Sequence, residues 1–177
     1  MTTIRPLAAT DADGLVDLFA SLSESDRTLI REDLHDPSQV TRLLAHPELR
    51  WVAVGDDGAV VGYSAVNRLP GWSDHVGELR LVVRPAGRGG GVGRALVRAA
   101  LLGALTAGVG KVVVELVPEQ EPVLQMFADL GFTGEALLRD HIRDHDGALH
   151  DLIMLAYLAA DAREVLDTVG VTDAIES

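Results

Sequence analysis

Between Arg88 and Arg94 the chain reads Arg-Gly-Gly-Gly-Val-Gly-Arg, and an apolar helical pattern starts directly behind it. Glycine accepts positive φ and lets a ligand come within van der Waals distance of the backbone amides. The first turn of a helix adds N–H groups without intrahelical acceptors and about half a unit of positive charge. Together they make an anion site: a diphosphate would lie over the amides of Arg88, Gly89, Gly90, Gly91, Val92, Gly93 and Arg94, with the Arg88 and Arg94 guanidinium groups beside it. Arg80, Arg84, Arg88, Arg94 and Arg98 place five of the fifteen basic residues within the nineteen positions 80–98, a concentration suited to one compact anion.

Two common phosphate loops fail on spacing. A Walker loop needs Gly-Lys-Ser/Thr at its helix entry, and here stands Gly93-Arg94-Ala95. A dinucleotide fingerprint started at Gly91 meets Leu96 where a small residue is required, and one started at Gly89 meets Arg94. Glu115, at the end of the following strand, is the one residue that would suit a nicotinamide-dinucleotide domain.

The whole chain narrows the partners. Its 177 residues suit one domain with its own core. The absence of cysteine removes disulfides, thiolate nucleophiles and Cys-ligated metals. A net charge of −12 disfavours nucleic acid. No charge-free stretch is long enough to span a bilayer and no secretory signal pattern is seen, so a cytoplasmic protein is expected. His141, His145 and His150 alternate with Asp140, Asp144, Asp146 and Asp151 around Asp-His-Asp-Gly. These read as the solvated face of a hairpin, and no metal is expected.

The elements that must position the glycine loop follow from periodicity. Thr2 to Pro6 predicts a strand. Thr10 or Asp11 caps a helix carrying Leu15, Leu18 and Phe19, and Asp36 with Pro37 starts another at Val40 and Leu43. The polar run between them is ambiguous. Trp51 to Val54 and Val60 to Val66 make a hairpin around Asp-Asp-Gly, and Glu78 to Arg84 is the next strand. A helix over Val92 to Leu105 ends at Gly108 or Gly110, followed by a strand from Lys111 to Val117 with the apolar run of one buried on both faces. A short helix from Pro122 to Leu130 and strands over Phe132–Arg143 and Ala148–Tyr157 complete an α/β (α+β) domain spanning 1–158. Its mixed central sheet has about seven strands, with helices on both faces. Residues 159–177 read as a C-terminal helix or tail around Val165 and Leu166.

The spacing Arg88-Gly89-Gly90-Gly91-Val92-Gly93, after a strand ending Val83-Arg84-Pro85, resembles the GNAT superfamily of acyl-CoA-dependent N-acetyltransferases. The likeness extends through ELRLVVRP, GRALVRAAL, KVVVELV and the LGF at Leu130 to Phe132. It implies acetyl-CoA as co-substrate, its pyrophosphate on the loop amides and its pantetheine arm in a gap where Glu78–Arg84 and Lys111–Val117 splay apart. In that gap the arm acts as a surrogate strand. It also implies that the Val83 N–H polarises the thioester carbonyl, a contact worth ~3 kcal/mol in a transition state.

The acceptor implied is a small-molecule or protein amine, without nucleic acid or membrane, and homodimerisation is open. An amine of pKa near ~10.4 must lose a proton before it attacks. Glu78, Glu115, His75 and His141 are candidates for this task. Glu78 is favoured although its offset from Val83 differs by one from the histone-modifying branch. His75 follows in the Trp72-Ser73-Asp74-His75 loop, which is read as touching substrate. Phe127 stands where relatives carry a tyrosine that protonates the leaving thiolate, and Gln120 takes the place of an asparagine-like coenzyme contact. Direct transfer in a ternary complex without a covalent enzyme intermediate is expected, which the absence of cysteine permits, and an acyl-CoA-binding sensor module, motivated by Phe127 and the offset of Glu78, is the alternative.

Overall fold

In the computed structural model of the chain, residues 1–28, 30, 36 and 38–160 are described. Seven strands, β1 (Thr3–Pro6), β2 (Arg50–Val54), β3 (Val60–Arg68), β4 (Val76–Val83), β5 (Lys111–Leu116), β6 (Thr133–Arg143) and β7 (Leu149–Leu158), form one sheet in the order β1-β2-β3-β4-β5-β7-β6. Five α-helices occur among the described residues: α1 (Ala12–Ala20), α2 (Glu24–Thr28), α3 (Ser38–Ala45), α4 (Val92–Thr106) and α5 (Glu121–Asp129). Only β4 and β5 pair in parallel, and α4 is the crossover that this requires.

Strand alternation sends the side chains into two cores. Val66, Leu79, Val112 and Val114 pack with Val97, Ala100 and Ala104 of α4 and Phe127 of α5. Tyr63, Ala65 and Val82 pack on the other face with Leu15, Leu18 and Phe19 of α1 and Val40 of α3. Helices therefore cover both faces, as the pattern predicts. Gly103 lets α4 lie directly on β2, because a Cβ there would stand 2.2 Å from Trp51 Cζ2.

Several local expectations are corrected. Asp11 precedes α1 but does not cap it; its carboxylate accepts the Ala8 N–H (2.9 Å) and pairs with Arg5 (2.6 Å). The run left ambiguous contains α2, whose capping box has the Asp26 N–H donating to Ser23 Oγ and the Asp26 carboxylate accepting the Ser23 N–H. Asp36 does cap α3, accepting the Ser38 N–H at 2.9 Å. The strand holding Glu78 begins at Val76 and ends at Val83, so Arg84 lies beyond it. The expected helix at Val165 and Leu166 falls outside the described residues. No helix among the described residues is long and apolar enough to cross a membrane.

Candidate functional site

The glycine loop is held open. Gly89 and Gly91 have φ of +80° and +84°, and no atom lies within 4 Å of where a Cβ would stand on either. Gly91 occupies the N-cap of α4, and the first intrahelical bond there runs from Ala95 N–H to Gly91 C=O (3.0 Å). The N–H groups of Val92, Gly93 and Arg94 therefore have no intrahelical acceptor. Gly93 faces Leu81, Val83 and Met126, whose side chains would stand in ordinary contact, at 3.6–3.7 Å, with a Cβ there.

The loop stands at the mouth of a gap in the sheet. Val76, Gly77 and Glu78 pair with Lys111, Val112 and Val113, and the ladder between β4 and β5 ends there. Both strands continue: β4 stays paired to β3 as far as Val83, and β5 to β7 as far as Leu116. They part at Glu78, as the resemblance implies, and the splay covers only the second half of each. Arg84 N–H donates to Val61 C=O at 2.9 Å. Alternation then turns the N–H and C=O groups of Leu81 and Val83 toward the gap. Such groups need partners, and a ligand carrying amides in extended form supplies them. With the open loop, they fit the pantetheine and diphosphate of a coenzyme A thioester.

A cavity of about 610 Å³ runs from the loop through the gap to the α1 and α3 face. Arg88, Gly89, Gly91, Gly93, Arg94 and Val83 line its loop end, and Gln120, Met126 and the fully buried Phe127 line the α5 wall. Phe127 packs edge-on to Phe132 with ring centroids 5.0 Å apart, an aromatic floor with no proton to donate. Asp26, Tyr63, Asn67, Arg80 and Glu115 line the opposite face.

Two loop arginines have acidic partners far away in sequence. Arg94 Nη2 lies 2.6 Å from Asp129, whose carboxylate also accepts from Gln125. Hydrogen bonds from Gln125 and Arg94 hold that carboxyl below its ordinary pKa. Arg88 Nη2 lies 2.9 Å from Asp26 Oδ1, and Arg88 Nε donates to Val83 C=O at 3.3 Å. Burial pushes Asp26 up, but hydrogen bonds from Ser23 and Arg88 outweigh it and keep the group below the ordinary aspartate value.

The acid–base candidates are separated. Glu78 is 13% exposed and pairs with Arg80 at 2.8 Å, on the sheet face away from Leu79 and Leu81. It is not among the cavity-lining residues, whereas Arg80 is. Glu115 does line the cavity, and extending the β4–β5 register two residues beyond the last rung sets it opposite Arg80 across the gap.

His75 is exposed at the closed end of the gap, where its C=O accepts the Gly110 N–H (2.8 Å). Eight residue steps along the strand, roughly 26 Å, separate it from Val83. His141 belongs to a bulge of β6, and neither it nor Trp72 lines the cavity. His150 pairs with Asp144 at 2.8 Å, a hydrogen bond that raises the histidine pKa and lowers that of the aspartate. Leu81 and Asp26 were not anticipated. Alternation from Val83 gives the first, and the Ser23-Glu24-Ser25-Asp26 capping spacing gives the helix that carries the second.

Residues 15–132 match the Acetyltransferase (GNAT) family. Streptothricin acetyltransferase of Streptomyces lavendulae is 33% identical over 82 residues, which cover 46% of this chain and 43% of that one; the match spans less than half of that relative's length. Among solved structures, ribosomal-protein-alanine N-acetyltransferase from Brucella melitensis superposes with a TM-score of 0.79 at 22% identity, over 88% of this chain and 99% of the other. The protein yncA from Salmonella typhimurium, solved with its cofactor acetyl-CoA, superposes with a TM-score of 0.77 at 20% identity, over 89% and 94%. At these identities the likeness establishes the fold.

Proposed function

The chain belongs to the GNAT acetyltransferase family, and on that premise we propose that it transfers an acetyl group from acetyl-CoA to a primary amine in a ternary complex. The observation that carries this reading is the β4–β5 gap, which leads from a loop of free amides into a cavity open to both sheet faces. Acetyl-CoA supplies the thioester carbonyl. The chain supplies amides for the diphosphate, extended backbone for the pantetheine arm and, on the far face, walls for the amine.

The donor for the thioester oxygen shifts in this reading from Val83 to Leu81. Val83 lies beside the loop, its Cγ2 3.7 Å from a Cβ position on Gly93. The pantetheine arm carries two amides between diphosphate and sulfur, so its sulfur reaches deeper along β4 than Val83. A parallel rung at Glu78–Val113 engages the Leu79 N–H, which leaves Leu81 as the first gap-facing donor beyond the paired region. Glu115 is the group on the acceptor face that takes the amine proton, directly or through water. Phe127 implies that the thiolate draws its proton from solvent, which a thiol of pKa near ~8.5 allows.

The test is thiol release from acetyl-CoA with a panel of amines. Amine-dependent release with N-acetyl product is expected. Tight coenzyme A binding without release from any amine would instead support the sensor reading.

A further inference from the structure

The Asp26–Arg88 pair joins the two halves of the cavity. Arg88 is the first residue of the cofactor loop, while Asp26 sits on α2 at the acceptor face, and both side chains line the same space. Arg88 uses Nη2 on Asp26 and Nε on the C=O of Val83, the gap-facing carbonyl nearest the loop. A diphosphate on the loop amides and an arm along Val83 would compete for both of these bonds. Asp26 would then be left as a carboxylate, 21% exposed, without its cation. Hydrogen bonds from Ser23 would remain, but a part-buried carboxylate that loses its cation is costly, and a positive charge on the acceptor can take the place of Arg88.

Resting on the proposed acetyl transfer, we propose that Asp26 is a specificity residue that binds a second positive charge on the acceptor, and that it becomes available when coenzyme A takes Arg88 from it. The reacting nitrogen must be neutral when it attacks, so the charge held at Asp26 belongs to a different group of the same molecule. The acceptor class is accordingly a diamine or larger polycation rather than a monoamine. Coenzyme A and this acceptor bind with positive coupling, and linkage requires each to strengthen the other by the same factor.

The experiment combines calorimetric titration of coenzyme A with binding of diaminobutane and of butylamine to the coenzyme-bound protein. The wild type is expected to favour the diamine by about tenfold or more, and only when coenzyme A is present. Asp26→Asn should abolish the preference and bind coenzyme A several-fold tighter, because Arg88 no longer has to be released. Ser23→Ala, which removes the same helix cap but keeps the carboxylate, should leave both quantities unchanged.

Equal binding of the two amines to wild type, a preference that survives Asp26→Asn, weaker coenzyme A binding in that variant, or the same effects from Ser23→Ala would each overturn the inference. All four leave the acetyl-transfer reading standing. Failure of coenzyme A to bind the wild-type protein would remove both.

Discussion

Glu115 and Glu78 lie on adjacent strands and on one sheet face, yet their surroundings assign them different work. Glu115→Gln should lower turnover ~10²-fold near neutral pH with coenzyme A affinity retained, and the loss should shrink as pH rises and the amine deprotonates unaided. Glu78→Gln should instead lower stability by ~1 kcal/mol, because a neutral amide weakens the part-buried contact with Arg80. Steady-state rates across pH and thermal melts of the two variants check this. A stable Glu78→Gln protein with the larger catalytic loss would reverse the assignment. The sequence made Glu78 attractive because it lies on the strand leading to the loop. It could not show that Arg80, two residues on and on the same face, would reach back to it. Phe127 was legible as a departure from the family pattern, and its burial against Phe132 shows what the ring does instead.

At the level of elements, the long periodic segments were readable and the polar connections were not. The α4 pattern, with its glycine loop in front and Gly108 behind, appears in the fold nearly as read. By contrast, α2 has five residues without an apolar stripe, so nothing in its periodicity announces a helix. The bulge at Arg139–His141 carries neither glycine nor proline, which hid it too. The closeness of α4 to β2 gives one test: Gly103→Ala should destabilise by ~1–3 kcal/mol through collision with Trp51, even though alanine is favoured over glycine by ~1 kcal/mol in a helix interior. An unchanged denaturation midpoint would show that Trp51 yields freely. The turn before α1 gives another. Hydrogen bonds from Arg5 hold the buried Asp11 below its ordinary pKa despite burial. A depressed folded pKa means that this stabilisation is complete above the unfolded value and is lost as pH falls through the folded one. Asp11→Asn should therefore lower stability at neutral pH and flatten its decline on acidification, as read from melts between neutral and strongly acidic pH.

For the whole molecule, the decisive feature is a sheet packed on both faces that comes apart between its two parallel strands. One core lies on each face of the sheet, with α1 and α3 on one side and α4 and α5 on the other, and the α4/α5 core joins Leu79 of β4 to Val112 and Val114 of β5 where the two strands begin to diverge. The glycine loop and the strand order were visible in the sequence because spacing and periodicity encode them. The ties of Arg88 to Asp26 and Arg94 to Asp129 were not, since each joins residues that only the tertiary fold brings together. In the proposed reaction the gap and its loop take acetyl-CoA as a surrogate strand. Amide hydrogen exchange of the wild-type protein, with and without saturating acetyl-CoA, tests this most directly. Protection is predicted at Leu81, Val83 and the loop amides from Gly89 to Arg94, with no comparable change from NAD. Saturable acetyl-CoA binding that leaves those amides exchanging as before would contradict the account.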